Sequence, residues 1–584
     1  MRLRPFQLNL VVILAVILAI WNHLARARYP AIAVSLLTIA ILSLAFWLQL
    51  HTPFLTAFAV EEKLYALQAA ANFRNNGIGA TLGLSNYSTR TGAAPFVYTH
   101  LVDLPAYVIY ALGSLTAIKY FFTLVNALAI YFFWRLFRNY APPLTAGLLV
   151  ACFALSGSIN MQHDHLHWPL TLLVHALAAL LALWQLRGQS TAPVFLAVLN
   201  IAFAASFSWF AAFDLAAFTV LVALFNKGRF KTSATAIYAT LTLAACVAVK
   251  LLWNGAYLGI PVALEEITLT IANRAVGRPG YENLQEFFNE HGIVLWGAPA
   301  RSLYFLVDYY LRFGAGAAQT IAIGAVGVLA AAFFHPSRAR AIARKEYPRL
   351  SVLAAMFLSL LAWDVAFPGH SAGYSNPLFQ ALGPLLGFVL LACLLQRGLF
   401  SVPNAYAVTN PVRIILGVAR TAFVLFIVIF LTLTMLLYTK RAQSYAAMAH
   451  RSYEGPPKEV IEHLSGRTAY TNLSVIHLGY FAPSAALAGR CTPNAALERD
   501  PRHCYNVFES LSKEPSRSRM FNPDVFVFTR IHLSGNAPWR EGNELEEFHR
   551  ILERNFAKIG QYRDGYHPAD WEIYDLRTRL VPAK

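Results

Sequence analysis

Charge is scarce in this chain: only 13% of its 584 residues are Asp, Glu, Lys or Arg, while 57% are hydrophobic. A soluble chain of that length carries roughly a quarter charged residues, so a purely soluble multidomain protein is excluded. Acids are especially few, 30 against 47 Lys and Arg. Cysteine is also sparse. Cys152, Cys246 and Cys393 lie in apolar runs and read as small hydrophobes. Cys491 and Cys504 lie in the polar tail and could pair if that tail is outside the cytoplasm. There is no glycine-rich phosphate loop, no spacing of a closed zinc site, no internal repeat and no low-complexity tract.

What is present is a series of long apolar runs from Leu8 to Leu437 that then stops. The pattern predicts a polytopic α-helical membrane protein of about twelve transmembrane helices over residues 1–438, followed by a soluble α/β domain over 439–584. Leu8–Trp21 follows Arg2 and Arg4 without a small-residue cleavage site and reads as an uncleaved first helix. A second span covers Ala31–Leu50, and others centre near residues 127, 150, 178, 201, 218, 243, 326, 358, 387 and 425. An even count leaves Arg2 and Arg4 outside, against the charge rule; the first segment is alternatively a hairpin with both ends inside.

The net charge of +17 suggests nucleic acid at first sight. Its distribution argues against that. Arg26/Arg28, Arg135/Arg138, Lys227/Arg229/Lys231, Arg338/Arg340/Arg344/Lys345 and Arg397/Arg413 fall in loops on alternate sides of the apolar runs, the positive-inside pattern of a membrane protein. The remaining loops, His51–Ile118, Met161–Trp168, Ser208–Asp214, Trp253–Arg312 and Pro368–Pro377, and the tail then lie outside. In the first of these, Leu64, Leu67 and Ala71 have helical spacing, which predicts a helix over Glu61–Phe73 along the membrane face. Pro105–Leu115 is apolar but short, hence interfacial or re-entrant. In the tail the patterns predict strands at Arg467–Leu473, Asp524–Thr529 and Trp571–Tyr574 and helices at Pro457–Leu464 and Glu544–Phe556.

The few ionisable groups concentrate at outer boundaries, where they are costly unless used. Glu61 and Glu62 open the first outer helix. A partly desolvated carboxylate there can act as a general base; the plainer reading is a solvated first turn favoured by the helix dipole, beside Lys63. His163-Asp164-His165-Leu166-His167 lies between two apolar runs. Imidazoles and a carboxylate together can hold a divalent metal, with His163, His165 and His167 as ligands, or a phosphate; the plainer reading is a hydrated histidine-rich loop. His100 and Asp103 lie on the same face, as do His370 and Tyr374, with Asp364 just before them. Arg301 and Arg312 flank an amphipathic stretch and can hold a phosphate in bidentate fashion or merely snorkel.

Those residues carry a resemblance to the GT-C superfamily of membrane glycosyltransferases, in particular to the branch of protein O-mannosyltransferases and lipid A aminoarabinose transferases. Its acidic D-E-x-x-Y motif resembles Glu61-Glu62-Lys63-Leu64-Tyr65. Its proline- and tyrosine-rich stretch resembles Tyr98-Thr99-His100 followed by Pro105-Ala106-Tyr107, its second-loop aspartate matches Asp164, and its later turn resembles His370, Tyr374 and Pro377. Two departures stand out: Glu61 replaces the usual aspartate, and Leu101-Val102-Asp103 stands where paired prolines are expected. The resemblance implies an inverting transfer of a sugar from a polyprenyl-phosphate donor to a hydroxyl of a lipid, protein or polysaccharide acceptor. Glu61, with Glu62, is implied as base, and Asp164 orients the acceptor or holds a metal. His100, Asp103, His165, Arg301, Arg312, His370 and Tyr374 would contact substrate or phosphate. It also implies a bacterial inner or plasma membrane, with the site and tail on the periplasmic side. A transporter or flippase would instead place ionisable groups in mid-span, an O-antigen ligase-type enzyme would lean on arginines in a large outer loop, and a sensor would leave the acidic loops unexplained.

Overall fold

The computed structural model describes residues 30–51, 60–79, 101–141, 143–154, 166–188, 191–261, 263–264, 268, 336–367, 382, 385–386, 389, 456–471, 486–490, 524–529, 549–550, 552–563 and 570–580. The helices α1 (Pro30–His51), α2 (Val60–Asn76), α3 (Leu104–Leu112), α4 (Leu115–Phe137) and α5 (Pro143–Phe153) are followed by α6 (Trp168–Leu186), α7 (Ala192–Ala205), α8 (Trp209–Phe225), α9 (Phe230–Leu258) and α10 (Pro336–Ala366). Local chemistry fixes many of their starts. Prolines fall in the first turn of α3, α6 and α7, where a missing N–H costs nothing. Ser114 and Ser208 cap α4 and α8 by accepting hydrogen bonds from Ala117 N (3.1 Å) and Ala211 N (3.2 Å). Gly113, at φ 74°, ends α3 in the left-handed region that glycine adopts without strain.

Among the described residues three helical stretches, Leu115–Phe137, Trp168–Leu186 and Lys231–Ala256, are long and apolar enough to cross a membrane. Their surfaces agree. Along α4, Tyr120, Leu124, Leu128 and Tyr131 are 59, 60, 43 and 48% exposed and recur at helical spacing. Facing water, such a stripe would forgo about 1 kcal/mol per side chain; facing lipid it costs nothing. Ile237, Leu241 and Leu252 form a similar exposed row on α9. The opposite face of α4 buries Ala129, Phe133, Leu136 and Phe137 against Leu172, Ala176 and Ala179 of α6. Polar side chains bind neighbouring helices: Asn126 Nδ2 donates to Gln49 Oε1 (3.2 Å), and Asn200 Nδ2 to Val174 O (2.9 Å).

The bundle has two unlike ends. At one, Tyr140 Oη donates to Arg349 O (3.0 Å), Tyr347 Oη to Phe225 O (2.8 Å) and Asn226 Nδ2 to Ser351 Oγ (3.0 Å), among the basic loops. The other end carries the start of α6, the end of α7, the start of α8 and the end of α10, lined by Trp168, Phe210, Phe213, Trp363 and Phe367.

Two expectations need correcting here. Ser208–Asp214 is not a loop: α8 begins at Trp209, because Ser208 supplies the cap, and Asp214 is fully buried within it. The loop expected from Trp253 also starts later, since α9 continues to Leu258. Helix α2 forms where expected but is enclosed rather than one-sided, with Lys63, Leu64, Ala66 to Ala70 and Phe73 all buried. The expected first helix, the spans near 326 and 425, and the Cys491/Cys504 pair lie outside the described residues.

Near the carboxyl terminus, α11 (Lys458–Leu464) precedes a five-stranded sheet of order β2-β1-β3-β5-β4 among the described residues, with β1 (Thr468–Thr471), β2 (Ala486–Arg490), β3 (Val525–Thr529), β4 (Phe556–Arg563) and β5 (Asp570–Arg579). β1 runs parallel to β2 and β3, and β5 is antiparallel to β3 and β4. Val525, Phe526, Val527, Phe528, Trp571 and Ile573 make its buried centre. The helix expected to end at Phe556 stops one residue earlier, and Phe556 opens β4.

Candidate functional site

The aromatic end of the bundle is assembled from five separate stretches of chain: the end of α2, residues 101–107, the start of α6, the α7–α8 junction and the end of α10. Residues 101–104 dock on the end of α7 through Leu101 N to Ala205 O and Leu104 N to Ser206 O, both 2.8 Å. Between them Asp103 takes φ 46°, ψ 57°, the one left-handed non-glycine residue among those described. Aspartate tolerates that conformation better than most residues, but at a cost that the surrounding structure must hold in place. Asp103 is only 5% exposed, and its carbonyl accepts from Ala106 N (3.0 Å) and Tyr107 N (3.3 Å), which starts α3. Burial, and then the Asp103 charge, raise the Tyr107 phenol above its ordinary value.

The end of α2 is fastened to α3. Phe73 lies 5.0 Å from Tyr107 and 6.2 Å from Tyr110, ring to ring, and Arg74 Nη2 donates to Ile109 O (3.2 Å). Glu61 and Glu62 occupy the first turn of this same helix, next to buried Lys63.

At the start of α6, His167 stacks obliquely on Trp168 at 4.9 Å, and its carbonyl accepts from Thr171 N (2.9 Å) and Thr171 Oγ1 (3.1 Å). Burial pushes the His167 imidazole down to about 4, so it is neutral at physiological pH, with ring nitrogens that can ligate a metal rather than hold a phosphate by charge. Trp168 meets Phe210 (6.2 Å), Phe210 meets Trp363 (5.4 Å), and Phe213 meets Phe367 (5.7 Å). This chain of rings brings the starts of α6 and α8 to the end of α10, on whose last turn Asp364 lies.

Of the residues expected from sequence, Asp103 and His167 are thus placed at this end. The side chains of Glu61 and Glu62, and all of His100, His163, Asp164, His165, Arg301, Arg312, His370 and Tyr374, lie outside the described residues. Sequence reasoning missed Asp214, fully buried on α8. The available signal was a single acid inside an apolar run.

A second polar cluster sits on the sheet. His549 Nε2 lies 2.7 Å from Glu572 Oε2 and 3.7 Å from Glu553 Oε1. Lys558 Nζ lies 2.9 Å from Glu572 Oε2 and 3.1 Å from Glu553 Oε1, and Tyr574 Oη donates to Glu572. Phe528 stacks on His549 at 4.7 Å. Burial alone would raise the Glu572 carboxyl, but His549, Tyr574 and Lys558 outweigh it and hold it at about 2. Donor atoms of His549, Glu553 and Glu572 fall within 4.8 Å of one another, a spacing a divalent cation could use. The Lys558 ammonium already provides the positive charge between the two carboxylates, so a metal would have to displace it.

No family model matches the chain, and no curated protein does. Among solved structures it is similar to the Archaeoglobus fulgidus oligosaccharyltransferase in complex with Zn and sulfate, at 15% identity, over 92% of this chain and 73% of that one, with a TM-score of 0.42. A likeness of this size places no residue and assigns no activity.

Proposed function

We propose that this integral membrane protein is a glycosyltransferase of the GT-C kind, moving a sugar from a polyprenyl-phosphate donor to an acceptor hydroxyl at the aromatic end of its bundle. The observation that carries the reading is the convergence there of Asp103, His167 and the end of α10. Asp164 precedes His167 by three residues and His370 follows Phe367 by three, a reach of about 11 Å in each case. Residues 1–438 would hold the transferase and 439–584 an extracytoplasmic α/β domain.

In the proposed reaction Glu61 takes the proton of the acceptor hydroxyl. The freed oxygen attacks the anomeric carbon, the bond from that carbon to the phosphate oxygen breaks with inversion, and polyprenyl phosphate leaves with the electron pair. His165, Arg301, Arg312 and His370 stabilise the charge that develops on the phosphate. Asp164 orients the acceptor, or with neutral His167 would hold a divalent cation that supplies Lewis acidity. Replacing Glu61 and Asp164 with alanine and measuring sugar transfer in membranes tests this: full activity in both variants rules the mechanism out.

Three buried polar residues favour a second reading. Asp214 on α8, His175 on α6 and Lys250 on α9 are at most 3% exposed within apolar helices. Intramembrane ionisable groups often mark a substrate or proton path, as in a transporter. Uptake into proteoliposomes, with no transfer of sugar to any acceptor, would select that reading.

A further inference from the structure

The end of the bundle opposite the proposed site carries a positive cluster that the transferase reading does not use. Three loops meet there: the turn after α4, the turn after α6 and the turn between α8 and α9. With the adjoining helix ends they contribute Arg135, Arg138, Arg187, Lys227, Arg229 and Lys231, and no Asp or Glu occurs in residues 135–143, 186–191 or 226–232. The loops are knitted together by their own cations. Arg187 Nη2 donates to Asn139 Oδ1 (3.1 Å), Lys231 Nζ to Gly188 O (3.0 Å) and Arg229 to Leu186 O. These contacts fix Arg187, Arg229 and Lys231 on neutral oxygens. Among the described residues none of the six forms an ion pair; the nearby Arg349 pairs with Glu346 of its own helix at 3.4 Å.

Like charges held together in this way repel one another unless an anion joins them. The surroundings identify the anion. Arg138 lies over the ring of Trp134, 4.8 Å from its centroid. Exposed Tyr131, Trp184, Leu224 and Tyr347 border the same loops. Cations directly beside an exposed aromatic and aliphatic belt match the layout of a bilayer surface, with the rings at the headgroup level and the charges just beyond it. A free phosphate would not need that apolar border.

We propose that this end is a binding site for anionic phospholipid headgroups, with Arg138, Arg187, Lys227 and Arg229 contacting the phosphates. The inference does not depend on the transferase reading. Each Lys or Arg near a negatively charged lipid surface strengthens binding roughly fivefold. Among the described residues Arg138 and Lys227 make no side-chain hydrogen bond into the fold, so Arg138→Gln with Lys227→Gln removes two charges without cutting such a contact.

The test uses the purified full chain in neutral detergent, with phosphatidylglycerol or phosphatidylcholine added and the bound lipid counted by native mass spectrometry. The wild type should retain phosphatidylglycerol well above phosphatidylcholine. The double variant should hold phosphatidylglycerol about 30-fold more weakly and phosphatidylcholine unchanged. Millimolar inorganic phosphate should leave the bound phosphatidylglycerol in place. Equal retention of the two lipids by the wild type, or undiminished phosphatidylglycerol in the double variant, overturns the proposal. Displacement by inorganic phosphate would identify a simple anion site and overturns it equally.

Discussion

Replacing Glu572 with glutamine should loosen the sheet near the carboxyl terminus, by an amount that depends on pH in a defined way. The carboxylate is buried and accepts from His549 at 2.7 Å, from Lys558 at 2.9 Å and from Tyr574. Its pKa in the folded chain is held at about 2, against roughly 4.3 in an unfolded chain; the difference is worth about 3 kcal/mol. Because the folded value is the lower one, that stability is fully present above about pH 4.3 and is lost as pH falls towards 2. The amide that replaces the carboxylate in E572Q does not ionise and never has it. At pH 7, backbone amides of Asp570–Arg579 in E572Q should therefore exchange with solvent roughly 100-fold faster than in the wild type. The gap should close progressively from about pH 4.3 downward, once exchange is corrected for its intrinsic pH dependence. Hydrogen exchange with mass spectrometry on the full chain reads this directly. Equal protection at pH 7, or a gap that stays constant down to about pH 2.5, refutes the reasoning.

Asp103→Gly should relieve the left-handed backbone and leave thermal stability in detergent within about 1 kcal/mol of the wild type, while Asp103→Ala should cost about 1–2 kcal/mol more than the glycine variant. If Asp103 belongs to the transfer site, D103G should nonetheless lose at least tenfold in sugar transfer; normal transfer by D103G would remove that residue from the mechanism. His175 presents Nδ1 to Thr171 O at 2.7 Å but leaves Nε2 buried without a hydrogen-bond partner among the described residues. His175→Leu should thus raise the melting temperature modestly, by about 1 kcal/mol of stability, and a fall in melting temperature would show that the ring does more than fill space. Gly113→Ala forces a Cβ onto a left-handed helix terminus and should cost about 1 kcal/mol in the same melting assay.

The helices were legible because long apolar runs broken by proline, glycine or serine leave little choice: residues 31–50 against Pro30–His51, and a span centred at 127 against Leu115–Phe137. Strand β4 was not, because Leu545, Phe548, Leu552 and Phe556 keep helical spacing up to the residue at which the chain turns into a half-exposed edge strand containing Gly560. Strand β2, Ala-Leu-Ala-Gly-Arg, has no β-branched residue to announce it. In the candidate site, Asp103 could be named by residue type and position, but its left-handed backbone depends on docking against Ala205 and Ser206, about a hundred residues away. The His549–Glu572–Lys558 cluster was invisible for a similar reason. It is made by strand register, which pairs Lys558 with Tyr574, and not by any motif.

The clamp at the arginine-rich end also bears on how the chain is made. Tyr140 waits for a carbonyl 209 positions later, and Asn226 for a hydroxyl 125 positions later. During vectorial synthesis the earlier helices must therefore enter the bilayer before their last fastening exists. Through that interval the nascent bundle rests on packing and on the hydrogen bonds its earlier helices and loops already share, such as Asn126 to Gln49 and Arg187 to Asn139, which is when an insertase or chaperone would find it easiest to grip.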